Sequence, residues 1–172
     1  MIVMEYAEQG SLRKLLDSKY SELDLASKIA NLYYIANGLD AIHKANLVHK
    51  DLHSGNIVNQ NKFSSYIIDF GLCKLVLQDP SSKALFGVLP YIAPEVLFGK
   101  EYIQESDIYS FGIIISEVFT EYPPYYNIPH DKDLAACICL GYRSKIRCEV
   151  PQLLLDLMNG MLRCRTSKQV NF

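Results

Sequence analysis

A long helical pattern constrains the fold of this chain more than any other feature of its sequence. Between residues 24 and 45 the apolar positions recur every three or four residues, which predicts one long amphipathic helix. These positions are Leu25, Ile29, Leu32, Ile35, Ala36, Leu39 and Ile42. An apolar stripe of this length has to pack against other elements, so a helical core is expected.

Shorter patterns add more helices and one small sheet. Ser11 precedes the segment LRKLLDSKY and is expected to cap a short helix. Residues 57–70 predict two short strands around a polar turn at residues 59–62. Further helical patterns lie at residues 94–99, 107–120, 131–140 and 151–162. The sequence therefore predicts a mainly α fold of the α+β class with a small β-hairpin, and a long, functional loop at residues 71–90.

Composition and charge exclude several classes of function. A chain of 172 residues is long enough for one domain with a single core. The net charge is −2 and no segment concentrates Lys and Arg, so no nucleic acid partner is expected. The most apolar run, residues 111–119, is too short to cross a bilayer and contains Glu117, so no membrane contact is expected.

The cysteines and the N-terminus indicate a location in the cell. The five cysteines form no CxxC pair, so neither a zinc site nor a disulfide framework is expected. The N-terminus has an early Glu5 and no basic region of the kind that opens a signal peptide. Reduced thiols and a cytoplasmic location follow from these two features.

Two carboxylates and an amide could carry chemistry. Asp51 and Asn56 lie five residues apart in HKDLHSGN, and Asp69 follows the apolar run YII at the end of a predicted strand. Asp and Asn oxygens suit Mg²⁺, and Gly71 would let the backbone turn sharply after Asp69. Asp51 could accept a proton from an attacking hydroxyl, so the set suits metal-assisted phosphoryl transfer. Without further motifs, a solvated loop acid for Asp51, a turn residue for Asn56 and a cap for Asp69 would be the better explanations.

Five motifs in order resemble those of protein kinases. HKDLHSGN at 49–56 resembles their catalytic loop, DFG at 69–71 their magnesium-binding motif and APE at 93–95 the end of their activation loop. DIYSFG at 107–112 resembles the start of their buried central helix, and MEYAEQGSL at 4–12 the hinge that receives adenine. The order and spacing make the chain resemble the protein kinase superfamily, and within it the tyrosine-kinase-like group, from residue 1 to about 162.

The resemblance implies a role for each residue of the reaction site. Asp51 would be the catalytic base that orients the hydroxyl of a protein substrate. Asn56 and Asp69 would hold Mg²⁺ on the phosphates of ATP. The adenine would meet backbone groups of Glu5 and Ala7. Met4 would be the gatekeeper, and Val58 would lie under the adenine ring.

The resemblance also implies structural roles. His49 would pack on Phe70 of the DFG motif, whose Gly71 permits the turn. Asp107 would hold the backbone of the catalytic loop from below. Glu95 would pair with an arginine near the C-terminus, and the candidates are Arg163 and Arg165.

The resemblance divides the chain into a partial kinase domain. Residues 1–10 match the hinge strand and hinge, residues 11–162 the large lobe, and residues 163–172 a divergent tail. The Gly-rich loop and strand lysine that precede the hinge in kinases are absent from the sequence. We therefore expect a large lobe whose small lobe is missing or comes from a partner chain, with little or no turnover alone.

Several positions depart from the kinase pattern. Lys50 replaces the usual Arg, and a point charge lacks the bidentate grip of Arg on a phosphate. This argues against control by activation-loop phosphorylation, for which Ser81 and Ser82 are the candidates. His53 stands where serine/threonine kinases usually carry Lys, and Val88 where they usually carry Thr. The spacing of GVLPYIAPE still favours a serine/threonine kinase over a tyrosine kinase.

Two other functions compete with that of a protein kinase. A non-catalytic pseudokinase or interaction module would need no Asp51, Asn56 or Asp69. A small-molecule phosphotransferase shares a similar loop but not the APE and DIYSFG elements. Three further residues are expected outside the chemistry: His43 and His130 on the surface, and Cys73 as a small buried residue rather than a redox switch.

Overall fold

The computed structural model describes residues 6–75, 85–144 and 150–163. Helices α1 to α6 span Leu12–Lys19, Leu25–Lys44, Pro94–Leu97, Gln104–Thr120, Lys132–Cys139 and Gln152–Met161. Strands β1 to β4 span Leu47–Val48, Ile57–Asn61, Ser64–Ile67 and Lys74–Leu75. Short 3₁₀ turns lie at Tyr20–Glu22, Ser54–Asn56, Phe70–Leu72 and Leu89–Tyr91. The mainly helical fold predicted from the sequence is confirmed.

Side-chain caps begin the first two helices. The Ser11 side chain accepts a hydrogen bond from the Lys14 N–H at the start of α1, as the sequence predicts. The Asp24 carboxylate accepts from the Ser27 N–H at 2.8 Å and begins α2. These caps satisfy donors that have no partner inside a helix, so they fix where each helix starts.

The apolar stripe of α2 is buried only in its second part. Leu25 and Ile29 are 53% and 39% exposed, which the helical pattern does not predict. The first turns of α2 bury Ser27 and Asn31 instead. The Asn31 amide donates to the carbonyl of Lys62 at 2.7 Å, so this face of the helix holds the adjacent hairpin through polar groups.

Two small antiparallel sheets are present, where the sequence predicts one. Strands β2 and β3 form the predicted hairpin, with Asn61 opposite Ser64, so its turn lies later than residues 59–62. Strands β1 and β4 form a second sheet at the start of the predicted long loop. Strands of two residues leave no alternating pattern in a sequence, so the second sheet could not be predicted.

Helix α4 is the centre of the main core. It contacts α2 and α6, and Ile114 in its middle is fully buried. The helix ends at Thr120, where Glu121 turns the backbone left-handed with φ of +70°. A smaller cluster of Tyr125, Leu134 and Ile138 lies under α5. Among the described residues no helix is long and apolar enough to cross a membrane.

Candidate active site

Asp107 fixes the start of the catalytic loop, residues 49–56. Its carboxylate accepts hydrogen bonds from two successive backbone N–H groups, those of His49 at 2.8 Å and Lys50 at 3.0 Å. The Asp107 side chain is buried at the first turn of α4. Lys50 is held with φ of +71°, a conformation that a non-glycine residue keeps only when its surroundings impose it. The loop is therefore tied to the central helix.

The same carboxylate meets a histidine that the sequence places on the surface. The His43 side chain is only 14% exposed, and its Nε2 donates to Asp107 Oδ2 at 3.0 Å. The surface prediction for His43 is wrong, because α2 passes α4 at this point and the ring is enclosed between them. The prediction for His130 is confirmed, since it is exposed.

Asp51 and Asn56 lie against each other across the catalytic loop. The Asn56 amide nitrogen donates to the Asp51 carbonyl at 2.9 Å and to Asp51 Oδ2 at 3.0 Å. This leaves the Asn56 amide oxygen free of the pair. The other carboxylate oxygen, Asp51 Oδ1, is buried and accepts no hydrogen bond from the described residues.

Backbone and ring contacts bring the DFG segment to the same loop. The Ile68 N–H donates to the Asn56 carbonyl at 2.9 Å, so Asp69 is one residue from a direct contact with the catalytic loop. The His49 Nε2 donates to the Ile68 carbonyl at 3.1 Å. The rings of His49 and Phe70 meet edge to face at 5.7 Å. Asp51, Asn56 and Asp69 therefore lie on one connected unit.

Asp69 itself has an unusual backbone conformation. Its φ is +62°, in the left-handed region, and its Oδ1 accepts a 3.3 Å hydrogen bond from the Gly71 N–H. A non-glycine residue in this region carries strain of order 1–3 kcal/mol, which is frequent at functional sites. The turn after the strand is thus closed by the Asp69 side chain as well as by Gly71.

The residues proposed to meet adenine are only partly described. Val58 of β2 forms an isolated bridge with Ser11. The Ala7 carbonyl accepts from the Gly10 N–H at 3.0 Å, and Gly10 in turn bonds to β2 through Asn59 at 2.8 Å. The segment with Ala7 is therefore joined to β2 beside Val58. Met4 and Glu5 lie outside the described residues, as do the candidate phosphosites Ser81 and Ser82.

Burial changes the ionisation of several groups near the loop. Burial and the charge of Lys74 lower the pKa of Lys50, an effect that Asp107 partly offsets. Burial raises the pKa of the Cys73 thiol, and the carboxylates of Asp107 and Asp69 add to this. These shifts favour the neutral forms of both groups.

His53 has a lowered pKa as well. Burial lowers the pKa of its ring, and the nearby Asp51 carboxylate acts in the opposite direction. The ring lies against that of Tyr91, with 5.8 Å between the centroids. A neutral imidazole therefore lies beside the Asp51 carboxylate.

A buried charged network beneath the loop could not be recognised from motifs. Arg13 of α1 pairs with Glu117 of α4 at 2.6 Å. Ser54 of the catalytic loop donates to the same carboxylate at 2.8 Å, and the Tyr91 hydroxyl donates at 2.6 Å. The one signal in the sequence was a glutamate inside the apolar run 111–119, since a buried carboxylate requires partners.

Glu95 does not have the arginine partner that the sequence suggests within the part of the chain that the structure describes. Its side chain is buried, yet Arg163 makes no ion pair with it, and Arg165 lies outside the described residues. Arg143 instead covers the ring of Tyr109 at 5.3 Å and donates to the carbonyl of Leu162 at 3.1 Å. Arg143 thereby joins the end of α6 to α4.

The comparisons with known proteins decide the family. The family model described as protein tyrosine and serine/threonine kinase matches residues 1–172. The chain belongs to the protein kinase family. Its DFG, APE and catalytic-loop motifs are therefore those of a kinase large lobe, as the sequence predicts.

Relatives with curated names agree with this assignment. The chain is 33% identical to a probable serine/threonine-protein kinase of Dictyostelium discoideum over 176 residues, which cover 99% of the chain and 16% of the relative. It is 35% identical to the serine/threonine-protein kinase CTR1 of Arabidopsis thaliana, over 89% of the chain and 19% of the relative. It is 29% identical to the serine/threonine-protein kinase CLA4 of Candida albicans, over 94% of the chain and 16% of the relative. The kinase chain thus spans less than a fifth of each of these relatives.

Proposed function

We propose that this chain supplies the large lobe of a kinase that transfers the γ-phosphoryl group of ATP to a hydroxyl of a protein substrate. The observation that carries the proposal is the connected unit of Asp51, Asn56 and Asp69. The Asn56 side chain donates a hydrogen bond to Asp51, and the Ile68 N–H, next to Asp69, donates to the Asn56 carbonyl. Phosphoryl transfer requires mainly positioning and charge neutralisation, and this unit provides both from one rigid support.

Asp51 is proposed as the group that receives the substrate proton. One carboxylate oxygen is held by the Asn56 amide at 3.0 Å, so the side chain is oriented before a substrate arrives. Its side chain is 19% exposed, which leaves it open to a hydroxyl from one side. An oriented carboxylate of this kind can act as a general base.

Asn56 and Asp69 are proposed to hold Mg²⁺. The Asn56 nitrogen is used by Asp51, so its oxygen remains for a cation. Among the described residues, the Asp69 carboxylate accepts one long hydrogen bond, from the Gly71 N–H. Hard oxygens of this type suit Mg²⁺, which would neutralise charge on the ATP phosphates. Ala7 and Val58 are proposed to contact the adenine, together with Met4 and Glu5.

We propose serine or threonine rather than tyrosine as the phosphorylated residue. The names of the relatives support this choice, and so does the spacing of GVLPYIAPE at 87–95. The free thiols of Cys73 and Cys137 suit a reducing compartment, so the proposed location is the cytoplasm.

The substitution Asp51→Asn tests the proposed reaction. In a protein that joins a kinase small lobe to this chain, we expect kcat to fall about 10²–10⁴-fold, because the amide cannot accept the substrate proton. The affinity for ATP is expected to stay within about twofold, since Asp51 faces the hydroxyl and not the nucleotide. Phosphate transfer from radiolabelled ATP to casein measures the first quantity, and calorimetry measures the second.

Asp40→Asn is the matched control. Asp40 is an exposed acid of α2 whose partner is Lys44, one helical turn away. The same chemical change there should leave both quantities unchanged. Turnover by Asp51→Asn equal to that of the unmodified protein would remove Asp51 from its proposed role.

A further inference from the structure

His53 makes a set of contacts that fixes its tautomer. Its Nδ1 accepts a hydrogen bond from the Gly55 N–H at 3.1 Å, so this nitrogen carries no proton. In the neutral ring the proton is then on Nε2. That nitrogen lies 3.5 Å from Asp51 Oδ1. A donor therefore faces the carboxylate of the proposed catalytic base.

The oxygen opposite His53 has no hydrogen-bond partner in the part of the chain that the structure describes. Asp51 Oδ2 accepts from Asn56, but Asp51 Oδ1 is buried without a hydrogen bond from the described residues. A buried acceptor without a partner is destabilising, and more so if it is charged. The Nε2 of His53 is about half an ångström beyond ordinary hydrogen-bond length, so a small rotation would satisfy this oxygen.

The backbone on the other side of Asp51 is also close-packed. Gly87 has φ of +96°, and a Cβ there would lie 3.3 Å from Asp51 Oδ1. A side chain at position 87 would therefore crowd the carboxylate oxygen that faces His53, and glycine leaves this oxygen room.

Gly55 gives the His53 ring its place. A Cβ at position 55 would lie 2.7 Å from the ring carbon Cε1 and 2.8 Å from Nδ1, distances that real contacts do not show. Any other residue at this position would require the ring or the loop to shift from the arrangement seen here. The Tyr91 ring lies against the His53 ring, tilted by 50° with 5.8 Å between the centroids, and the Tyr91 hydroxyl donates to Glu117.

We propose that His53 is a positioning residue for phosphoryl transfer, which donates its Nε2–H to Asp51 Oδ1 and holds the carboxylate toward the substrate hydroxyl. Gly55 is part of the same device, because it makes the space in which the ring lies. The proposal rests on the proposed kinase function. It assigns His53 no contact with the reacting atoms and no transfer of a proton.

Two substitutions of His53 distinguish the contributions of its two ring nitrogens. His53→Gln places an amide N–H near the position of Nε2, whereas His53→Asn reaches only the position of Nδ1. In the protein that joins a kinase small lobe to this chain, with casein and Mg-ATP, we expect His53→Asn to lower kcat about 10–100-fold, as misplacing a catalytic group does. KM for ATP should change less than about twofold, and His53→Gln should retain kcat within about threefold.

Gly55→Ala tests the same contact without changing the histidine. We expect it to lower kcat as much as His53→Asn does, and the double variant to be no slower than either single variant. His130→Asn, on the surface, is the matched control and should be as active as the unmodified protein. Equal activities of His53→Asn and His53→Gln, or additive effects of His53→Asn and Gly55→Ala, would overturn the proposal.

Nitrogen NMR of ¹⁵N-histidine-labelled full-length protein gives a readout that needs no turnover. We expect His53 to be the Nε2–H tautomer, with an Nε2 shift that changes in Asp51→Asn. An Nδ1–H tautomer, or a shift insensitive to Asp51→Asn, would overturn the contact. If the protein transfers no phosphate, or if transfer persists in Asp51→Asn, the proposed function fails, while the NMR result still decides whether His53 holds Asp51.

Discussion

Cys73 is only partly buried, whereas the sequence predicts a buried residue, yet this partial burial still affects its chemistry. It lies two residues beyond the DFG glycine, and its thiol points to the carbonyl of His49 at 3.9 Å. Burial raises its pKa, so the reactive thiolate is scarce near neutral pH. We expect iodoacetamide to modify Cys73 at least about fivefold more slowly than the exposed Cys137 at pH 7.5.

Peptide mapping by mass spectrometry would measure both rates in one sample. Because the pKa of Cys73 is raised above the ordinary value of 9.0, its rate should still be rising with pH at pH 9.0 and should level off only above that value. Fast modification of Cys73 at pH 7.5, with the protein folded, would contradict the expected inert role and make a redox function the better explanation.

At this scale the sequence predicts the residues of the site better than their surroundings. The contacts of Asp107 with the loop and of His49 with Phe70 are those that the kinase resemblance implies. The sequence wrongly placed His43 on the surface and gave His53 no role. The contacts of both rings depend on ring orientations that the spacing of residues does not encode. Sequence patterns report periodicity, and these contacts join residues through packing.

Helices α1 and α4 are joined by a buried ion pair, which can be tested at the scale of elements. Arg13 is 20% exposed and Glu117 is fully buried. We expect Arg13→Met to lower the free energy of unfolding by about 2–3 kcal/mol, because it strands the Glu117 carboxylate without a cation. Adding Glu117→Gln should recover part of this loss, since the amide is neutral and can still bind Ser54 and Tyr91.

Urea unfolding monitored by circular dichroism measures these free energies. Lys14→Met is the matched control, because Lys14 is an exposed cation on the same helix. A double variant that is as unstable as Arg13→Met or worse would show that the charge of Glu117 is not the source of the loss.

The elements differ in how well the sequence predicts them. Helices α2 and α4 were predictable because their apolar periods are long, although polar burial at Ser27 and Asn31 leaves the first apolar positions of α2 exposed. The sheet of β1 and β4 was not predictable, because each strand has only two residues. Pairing between such short strands depends on the tertiary contacts around them, not on a pattern in the sequence.

In the whole molecule, one core links the site to the helices that support it. Residues of α1, α2 and α4, with Met158 of α6, form a single buried cluster that also includes Leu52 of the catalytic loop. Helix α4 supplies both Asp107, which fixes the loop, and Glu117, which lies beneath it.

A single core of this kind should unfold as one unit. Ile114 lies in the middle of α4 and is fully buried, so Ile114→Ala is expected to lower the free energy of unfolding by about 2–5 kcal/mol. The slope of that free energy with urea should not change, because the unfolded chain exposes the same surface. Ile29→Ala, on the exposed side of α2, is the matched control and should change the free energy of unfolding by less than about 1 kcal/mol.

Far-ultraviolet circular dichroism follows the helices, and tyrosine fluorescence follows the packing of the twelve tyrosines in a chain without tryptophan. The two signals should give one coincident transition in both variants. Separate transitions, or a slope that changes with Ile114→Ala, would mean that α4 does not join the elements of this lobe into one cooperative structure.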